Sequence, residues 1–246
     1  MDPIAPPTPV LLEIVVDDVA GAVTAEAAGA DRVELCADLC VGGTTPSLGM
    51  IRRVVAATER VTVQIMVRPR GGDFVYDAAE LAVMLEDVAV IREVAAAAPG
   101  RVGIVTGALR TDGTVDADAM GALVGAAGDV PVTCHKAIDA TPDIDAAYAT
   151  LAGLGVERVL TSGGARTALQ GADALARLVA AGGPAVLAGG GVRPGNVAEV
   201  IAASGVTEVH LRAQVESERG DGTLSTDAET IRAVRARIAS DAVASA

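Results

Sequence analysis

Eight short apolar segments alternate with longer alanine-rich segments, and this alternation limits the fold more than any other feature of the chain. Each apolar segment is at most seven residues long and rich in Val, Ile and Leu, as expected for a strand buried on both faces. The segments are LLEIVV (11–16), RVELC (32–36), VTVQIMV (61–67), RVGIVT (101–106), VPVTCH (130–135), ERVLTS (157–162), AVLAG (185–189) and TEVHL (207–211). The stretches between them space their apolar residues as amphipathic helices do.

The spacing of these segments favours a closed barrel. They recur at about 28 residues, which is typical of one βα unit per repeat. Eight such units in 246 residues match a TIM barrel. A doubly wound open sheet also alternates strands and helices, but the chain lacks G-x-G-x-x-G, and its only lysine, Lys136, follows His135 rather than a P-loop glycine. We therefore predict an α/β fold with a single TIM (β/α)8 barrel domain over residues 10–240. A disordered proline-rich leader (1–9) and a frayed tail (241–246) are expected to flank it.

Composition excludes several classes of partner. The chain has 32 acidic and 19 basic residues, a net charge of −13, and only one Phe, two Tyr and no Trp. Nucleic acids and anionic membranes require a basic surface, so neither is expected as a partner. Three cysteines are too few for a disulfide framework, and we find no secretory signal and no membrane-spanning segment, so we expect a cytoplasmic protein. A homo-oligomer is left open.

Ionisable residues lie inside or directly after the apolar segments. They are Glu13, Glu34, Arg68, Arg70, His135 and His210. Burial of an unpaired charge is costly, so these residues need one another. We predict that all of them except Arg70 form one cluster inside the barrel. The cluster is either a structural ion network or a catalytic site at the strand ends where barrel enzymes carry their sites.

Two glycine-rich turns follow the late strands. TSGG (161–164) follows the sixth segment and AGGGV (188–192) includes the end of the seventh. Loops at these positions in barrels bind anions through backbone N–H groups, although simple turn formation explains glycine equally well. The predicted anion-binding residues are Ser162, Gly163, Gly189, Gly190 and Gly191. Arg68 and Arg70 would clamp the same small anion.

Several blocks in order resemble the CutC family. They include LEIVVDDVAGAVTAEAAGADRVELC, GGTTPSLGMI, VRPRGGDFVYD, HKAID, RVLTSGG and AGGGV. The resemblance covers about residues 12–212 and implies a TIM barrel, a cytoplasmic location and a role in copper homeostasis or copper binding. The recurrent polar residues of the family fall on Glu13, Glu34, Arg68, Arg70, Asp73, His135, Asp139, Ser162 and His210.

The chain departs from the family pattern at two places. Family members often carry a first-strand cysteine where this chain has Val15 and Val16, so Cys36 is the one candidate ligand left for copper(I), which prefers sulfur ligands. Buried, inert thiols are the alternative. Lys136 stands where the family has arginine, so we predict an ion pair with Asp139 or with a helix carboxylate at the barrel rim, and no Schiff base.

Three functional hypotheses follow. The first is the copper-homeostasis role that the resemblance implies, with copper(I) as the ligand and no other cofactor indicated. The second is an enzyme that acts on a small phosphorylated or carboxylated substrate by acid–base chemistry, with catalytic residues drawn from the polar set above, Asp139 included. The third is a binding module without turnover.

Overall fold

The structure, a computed structural model, describes residues 9–217, 220 and 222–244. Eight parallel strands hydrogen-bond to one another in sequence order, and the eighth pairs with the first. The sheet is therefore a closed barrel, and helices alternate with its strands. The predicted TIM-barrel fold is confirmed, and the open-sheet alternative is excluded.

The strands agree closely with the apolar segments of the sequence. They are β1 (Leu11–Val16), β2 (Arg32–Leu35), β3 (Thr62–Met66), β4 (Val102–Thr106), β5 (Val132–Cys134), β6 (Arg158–Thr161), β7 (Ala185–Gly189) and β8 (Glu208–Leu211). The helices are α1 (Val19–Ala27), α2 (Leu48–Ala57), α3 (Ala78–Ala97), α4 (Ala117–Ala127), α5 (Ile144–Gly153), α6 (Ala172–Ala181), α7 (Val197–Ser204) and α8 (Ala228–Ala244). Short 3-10 helices at Leu39–Val41 and Lys136–Ala140 follow β2 and β5.

The main apolar core lies between the barrel and its ring of helices. Alternate strand residues such as Val33 and Ile65 point outward and pack with helix residues such as Met84 and Leu151, all of them fully buried. Burial of one such side chain contributes about 1.5–3 kcal/mol to folding. Because this core holds the aliphatic residues, the polar residues of the same strands point into the barrel.

Two features of the structure go beyond the predicted eight βα units. A hairpin of β9 (Gln214–Glu216) and β10 (Leu224–Thr226) follows β8 and lies against α1. Helix α8 continues to Ala244, within the segment predicted to be a frayed tail. Of the predicted leader, residues 1–8 lie outside the described residues. No helix in the described part of the chain is both long and apolar enough to cross a membrane.

Candidate functional site

A cavity of about 450 Å³ opens at the carboxyl ends of the barrel strands. Apolar residues such as Val15 and Leu160 form part of its wall. The charged and titratable residues that line it are Glu34, Arg68, His135, Lys136, His210 and Arg212. This is the end of the barrel at which enzymes of this fold carry their sites.

A buried ion network lies beside the cavity. Arg32 pairs with both Glu13 and Glu208, and Arg158 pairs with Glu208 as well. The side chains of Arg32 and Glu13 are each only 2% exposed. Two carboxylates therefore face two guanidinium groups, so the charges balance inside the barrel. Burial opposes ionisation of Glu13, but the charge of Arg32 and the hydrogen bond with His210 lower the pKa of Glu13 to about 2.

His210 connects this network to the cavity. Its Nδ1 lies 2.7 Å from Oε1 of Glu13, and its Nε2 lies 3.9 Å from Oε2 of Glu34. The strand register explains the first contact, because Glu13 is the direct partner of His210 across β1 and β8. Although burial opposes protonation, the hydrogen bond to Glu13 and the charge of Glu34 raise the pKa of His210. The two carboxyl groups thus favour protonation of this imidazole.

Glu34 is the carboxyl group that titrates nearest to neutral pH in this cluster. Burial raises its pKa to about 7, and the charge of Glu13 adds to this effect, while His210 opposes it. Its Oε1 is buried and has no hydrogen-bond partner among the described residues. A carboxyl group in this state can accept or donate a proton at neutral pH.

His135 is held as a neutral imidazole. Its Nδ1 accepts the backbone N–H of Ala137 at 3.2 Å, which places the ring proton on Nε2. Burial, and after it the charge of Arg68, lowers the pKa of His135 to about 3. Gly107 leaves room for the ring, since a Cβ there would lie 2.5 Å from Cε1 of the imidazole. The structure therefore fixes both the position and the tautomer of this side chain.

The side chains of Arg68 and Arg70 lie in different surroundings, although only Pro69 stands between them in the chain. Arg68 lines the cavity, and its terminal nitrogens donate to backbone carbonyls of Val41, Gly43 and Gly72 at 2.8–3.0 Å. Arg70 is not part of the cavity wall. It pairs instead with Asp73 and with Glu80 at the start of α3. The structure therefore does not bring the two arginines together as an anion clamp.

The turn after β6 already holds a carboxylate of the protein itself. Asp139 accepts the N–H groups of Ser162 and Gly164 at 2.9–3.1 Å, and Gly163 N–H donates to the Thr161 hydroxyl. The predicted ion pair between Lys136 and Asp139 is present. Burial opposes ionisation of Asp139, but Lys136 and these hydrogen bonds lower its pKa.

The AGGGV turn after β7 lies next to Ser162 and Lys136. A Cβ at Gly190 would lie 3.1 Å from Cβ of Ser162 and 3.5 Å from Nζ of Lys136. Gly189 ends β7, and a Cβ added at this position would lie 2.5 Å from Cδ1 of Leu160. The carbonyl of Gly191 accepts from Asn196. These glycines let two turns approach each other closely at the cavity rim. Anion binding by Ser162, Gly163 and the three glycines stays a prediction.

Cys36 does not have the surroundings of a copper(I) ligand. Its thiol is buried, and its Sγ lies 3.7 Å from Oε2 of Glu34. Burial and the charge of Glu34 raise the pKa of this thiol well above its usual value, whereas copper(I) binds the thiolate. Across the described residues, no group of three or more His, Cys, Asp or Glu is placed to hold a metal ion. The donor set therefore does not fit a resident copper(I) centre.

Three site residues were not identified from the sequence as part of the interior cluster: Arg32, Arg158 and Glu208. Each is the first residue of its strand, where a charged side chain is normally taken to face solvent. Strand alternation was the signal that could have found two of them. It places Arg32 on the face of Glu34, and Glu208 on the face of His210. Arg212, which follows β8 at the cavity wall, was also missed.

The fold and the cavity define an α/β barrel protein with a buried acid–base cluster at the carboxyl face of its strands. The chain belongs to the CutC family, whose family model matches residues 10–215. The CutC family protein of Mesorhizobium japonicum is 47% identical over 207 residues, which are 82% of this chain and 77% of that protein. A human protein named copper homeostasis protein cutC homolog is 42% identical over 212 residues, which are 85% of this chain and 76% of that protein.

Solved structures support the same assignment. The structure of CutC from Streptococcus agalactiae is 31% identical, with a TM-score of 0.75, and the match covers 82% of this chain and 97% of that chain. Phosphoribosyl anthranilate isomerase from Thermus thermophilus has a TM-score of 0.57 at 21% identity, with 94% of this chain and 98% of that chain covered. The second likeness concerns the barrel fold alone.

Proposed function

We propose that this chain is an enzyme that binds a small anionic substrate in the barrel cavity and transfers a proton through Glu34. The observation that carries the proposal is the state of Glu34, a buried carboxyl group at the cavity wall with one oxygen that has no hydrogen-bond partner in the described part of the chain. A structural ion network satisfies its members, as the Arg32 network does. An oxygen left without a partner beside an open cavity is instead typical of a group that meets a ligand.

His210 and Glu13 position the proton-transfer group. Glu13 stays ionised and holds Nδ1–H of His210, so the other imidazole nitrogen is directed to Glu34. His210 lowers the pKa of Glu34 and so favours the Glu34 carboxylate, while Glu13 favours protonation of His210. Glu34 is therefore the catalytic residue in this proposal, and His210 and Glu13 are positioning residues.

The charges at the rim support an anionic substrate. Lys136 and Arg212 reach the cavity wall, and both side chains are solvent-exposed. Lys136 also pairs with Asp139, but two cations at one cavity of a protein with a net charge of −13 favour an anionic ligand there. A phosphate or carboxylate group of the substrate would meet them at the entrance and leave the rest of the molecule near Glu34.

Inorganic phosphate binding tests this proposal. Replacement of Arg212 by glutamine is expected to weaken phosphate binding about tenfold, because one charged hydrogen-bond donor is lost. Arg53 is exposed on α2, away from the cavity wall, so Arg53→Gln removes the same charge elsewhere. Isothermal titration calorimetry compares the three proteins. Equal affinities of the two variants, or no phosphate binding by the unchanged protein, would contradict a cavity site for the anion.

Copper handling is the second candidate function, and the name of the human relative favours it. Cys36 and Met66 belong to one small apolar cluster beside the cavity, so two sulfur-bearing side chains lie in the same region. A cytoplasmic location belongs to either proposal and is supported by three free cysteines. The raised pKa of the Cys36 thiol argues against a strong site.

We expect Cys36→Ser to leave copper(I) affinity unchanged within about threefold, because a protonated thiol is a poor ligand. A competition titration against a chromophoric copper(I) chelator measures this affinity. Cys134→Ser is the matched control, since Cys134 is also a buried thiol but lies in the core between barrel and helices. A large loss of affinity confined to Cys36→Ser would move copper binding ahead of the enzyme proposal.

A further inference from the structure

Two buried hydrogen-bond donors near the cavity wall have no acceptor among the described residues. They are Nε2 of His135 and Nε of Arg68. Both residues line the cavity, and both lie against the ring of Phe74, at 4.9 Å from its centroid in each case. Buried N–H groups are rarely left unpaired, because each one costs about 1–3 kcal/mol. The Tyr76 hydroxyl lies close to Arg68, but neither it nor Nε of Arg68 has a hydrogen-bond partner among the described residues. Two such donors beside one ring therefore remain open to a ligand oxygen.

We infer that Nε2–H of His135 and Nε–H of Arg68 bind the carbonyl oxygen of the substrate, and that the substrates are small anionic ketones or aldehydes. The inference rests on the proposed function, which supplies the anion site and the proton-transfer role of Glu34. It adds the group that is polarised and the class of reaction, which is removal of a proton from the carbon next to a carbonyl.

Both donors are fixed before a ligand arrives. The terminal nitrogens of Arg68 are held by three backbone carbonyls, so its Nε cannot turn away. His135 is held by the N–H of Ala137 on one side and by the close approach of Gly107 on the other. Donors that need no reorganisation stabilise charge that develops on an oxygen during a reaction.

The neutral state of His135 favours a carbonyl oxygen over a fully charged group. An imidazolium would bind a phosphate in the ground state more tightly. A neutral imidazole gains most when its acceptor becomes negative in the transition state, as a carbonyl oxygen does on enolisation. The anionic group of the same substrate is held separately, at Lys136 and Arg212.

The proposed step balances without a co-reactant. The C–H bond next to the carbonyl breaks, and its proton goes to the Glu34 carboxylate. The electron pair forms a carbon–carbon double bond, and the carbonyl pair moves to the oxygen, which the two donors hold as an enolate. Return of the proton to the same carbon exchanges its hydrogen with solvent.

The ring of Phe74 is the group that a ligand has to displace. This ring lies against the His135 ring and the Arg68 guanidinium, and Phe74 follows the Gly71–Gly72 turn, where Gly72 has a φ of +88°. In the proposal the ring moves aside when the substrate oxygen arrives and otherwise keeps water from the two donors. The dry surroundings strengthen their hydrogen bonds to the developing enolate.

Nitrogen NMR of the two histidines tests the state of His135 directly. With 15N-labelled histidine, we expect one imidazole to remain neutral with its proton on Nε2 from pH 5 to pH 8, and the His135→Gln spectrum to assign it. A proton on Nδ1, or a charged ring at pH 7, overturns the inference. Neither result alters phosphate binding at Arg212, so the inference and the proposed function fail separately.

Solvent deuterium exchange tests the reaction. Dihydroxyacetone phosphate and pyruvate are incubated in D₂O with the protein, and proton NMR follows exchange next to the carbonyl. We expect exchange above the protein-free rate with at least one probe, a loss of about 100-fold in His135→Ala, and partial recovery in His135→Gln, whose amide also offers a neutral N–H donor. Phosphate affinity is expected to be the same in all three proteins. No exchange with either probe, or equal rates in the unchanged protein and His135→Ala, contradicts the inference.

Discussion

Replacement of Arg32 by methionine is expected to lower the free energy of unfolding by about 3–5 kcal/mol, which is the usual cost when one partner of a buried ion pair is removed. Arg32 contacts both Glu13 and Glu208, and its side chain is 2% exposed. Methionine fills much of the volume but leaves two carboxylates with one positive partner fewer. The loss therefore comes from uncompensated buried charge and not from a cavity.

Urea denaturation at pH 7 measures this change. Arg177→Met is the matched control, since Arg177 pairs with Asp145 on the surface, where both side chains are more than half exposed. Exposed pairs contribute about 0–1 kcal/mol, so this variant should remain close to the unchanged protein. Similar small losses in both variants would show that the interior network does not depend on the Arg32 charge.

The barrel itself could be predicted from the sequence because the alternation of an apolar segment with an amphipathic one is repeated eight times. Every strand lies within its predicted apolar segment, with ends that shift by at most two residues. The interior position of three polar residues could be predicted as well. Glu13, Glu34 and His210 lie together inside the barrel, as the cost of burying unpaired charges predicts.

The loops could not be predicted in the same way, because their side chains depend on the path of the backbone. The segment R-P-R-G-G-D suggested that Arg68 and Arg70 act together. In the structure, Arg68 is tied to the carbonyls of the neighbouring loop, and Arg70 is drawn to Glu80, the residue that completes the capping box of α3. A local motif does not show that Glu80, at a helix N-terminus ten residues further along the chain, binds the Arg70 side chain.

The sequence suggested two alternative roles for the polar cluster, structural or catalytic. In the structure, one set of residues fits the first role and another set fits the second. Arg32, Arg158 and Glu208 satisfy one another and form the structural part. Glu34 and His135 each keep one buried polar atom that no described residue hydrogen-bonds, and they form the part available to a ligand. The sequence contains both kinds of residue in the same strands, so only the hydrogen-bond pattern separates them.

Replacement of Glu34 by glutamine is expected to remove a pH-dependent loss of stability. The folded-state pKa of Glu34 is raised from 4.5 to about 7 by burial, with Glu13 adding to the effect and His210 opposing it. Between these two values the unfolded chain releases the proton and the folded chain keeps it. The contribution of Glu34 is therefore fully present below pH 4.5 and is lost as pH rises through 7.

From pH 5 to pH 8 we expect the stability difference between Glu34→Gln and the unchanged protein to shift by about 2–3 kcal/mol in favour of the variant. Glu13 and His135, whose pKa values are lowered to about 2 and about 3, contribute in the opposite direction but are present in both proteins. Urea denaturation at the two pH values gives the shift, and the exposed Glu199→Gln on α7 should show none. A constant difference between Glu34→Gln and the unchanged protein would mean that Glu34 ionises normally in the fold. The same result would remove the group on which proton transfer in this cavity depends.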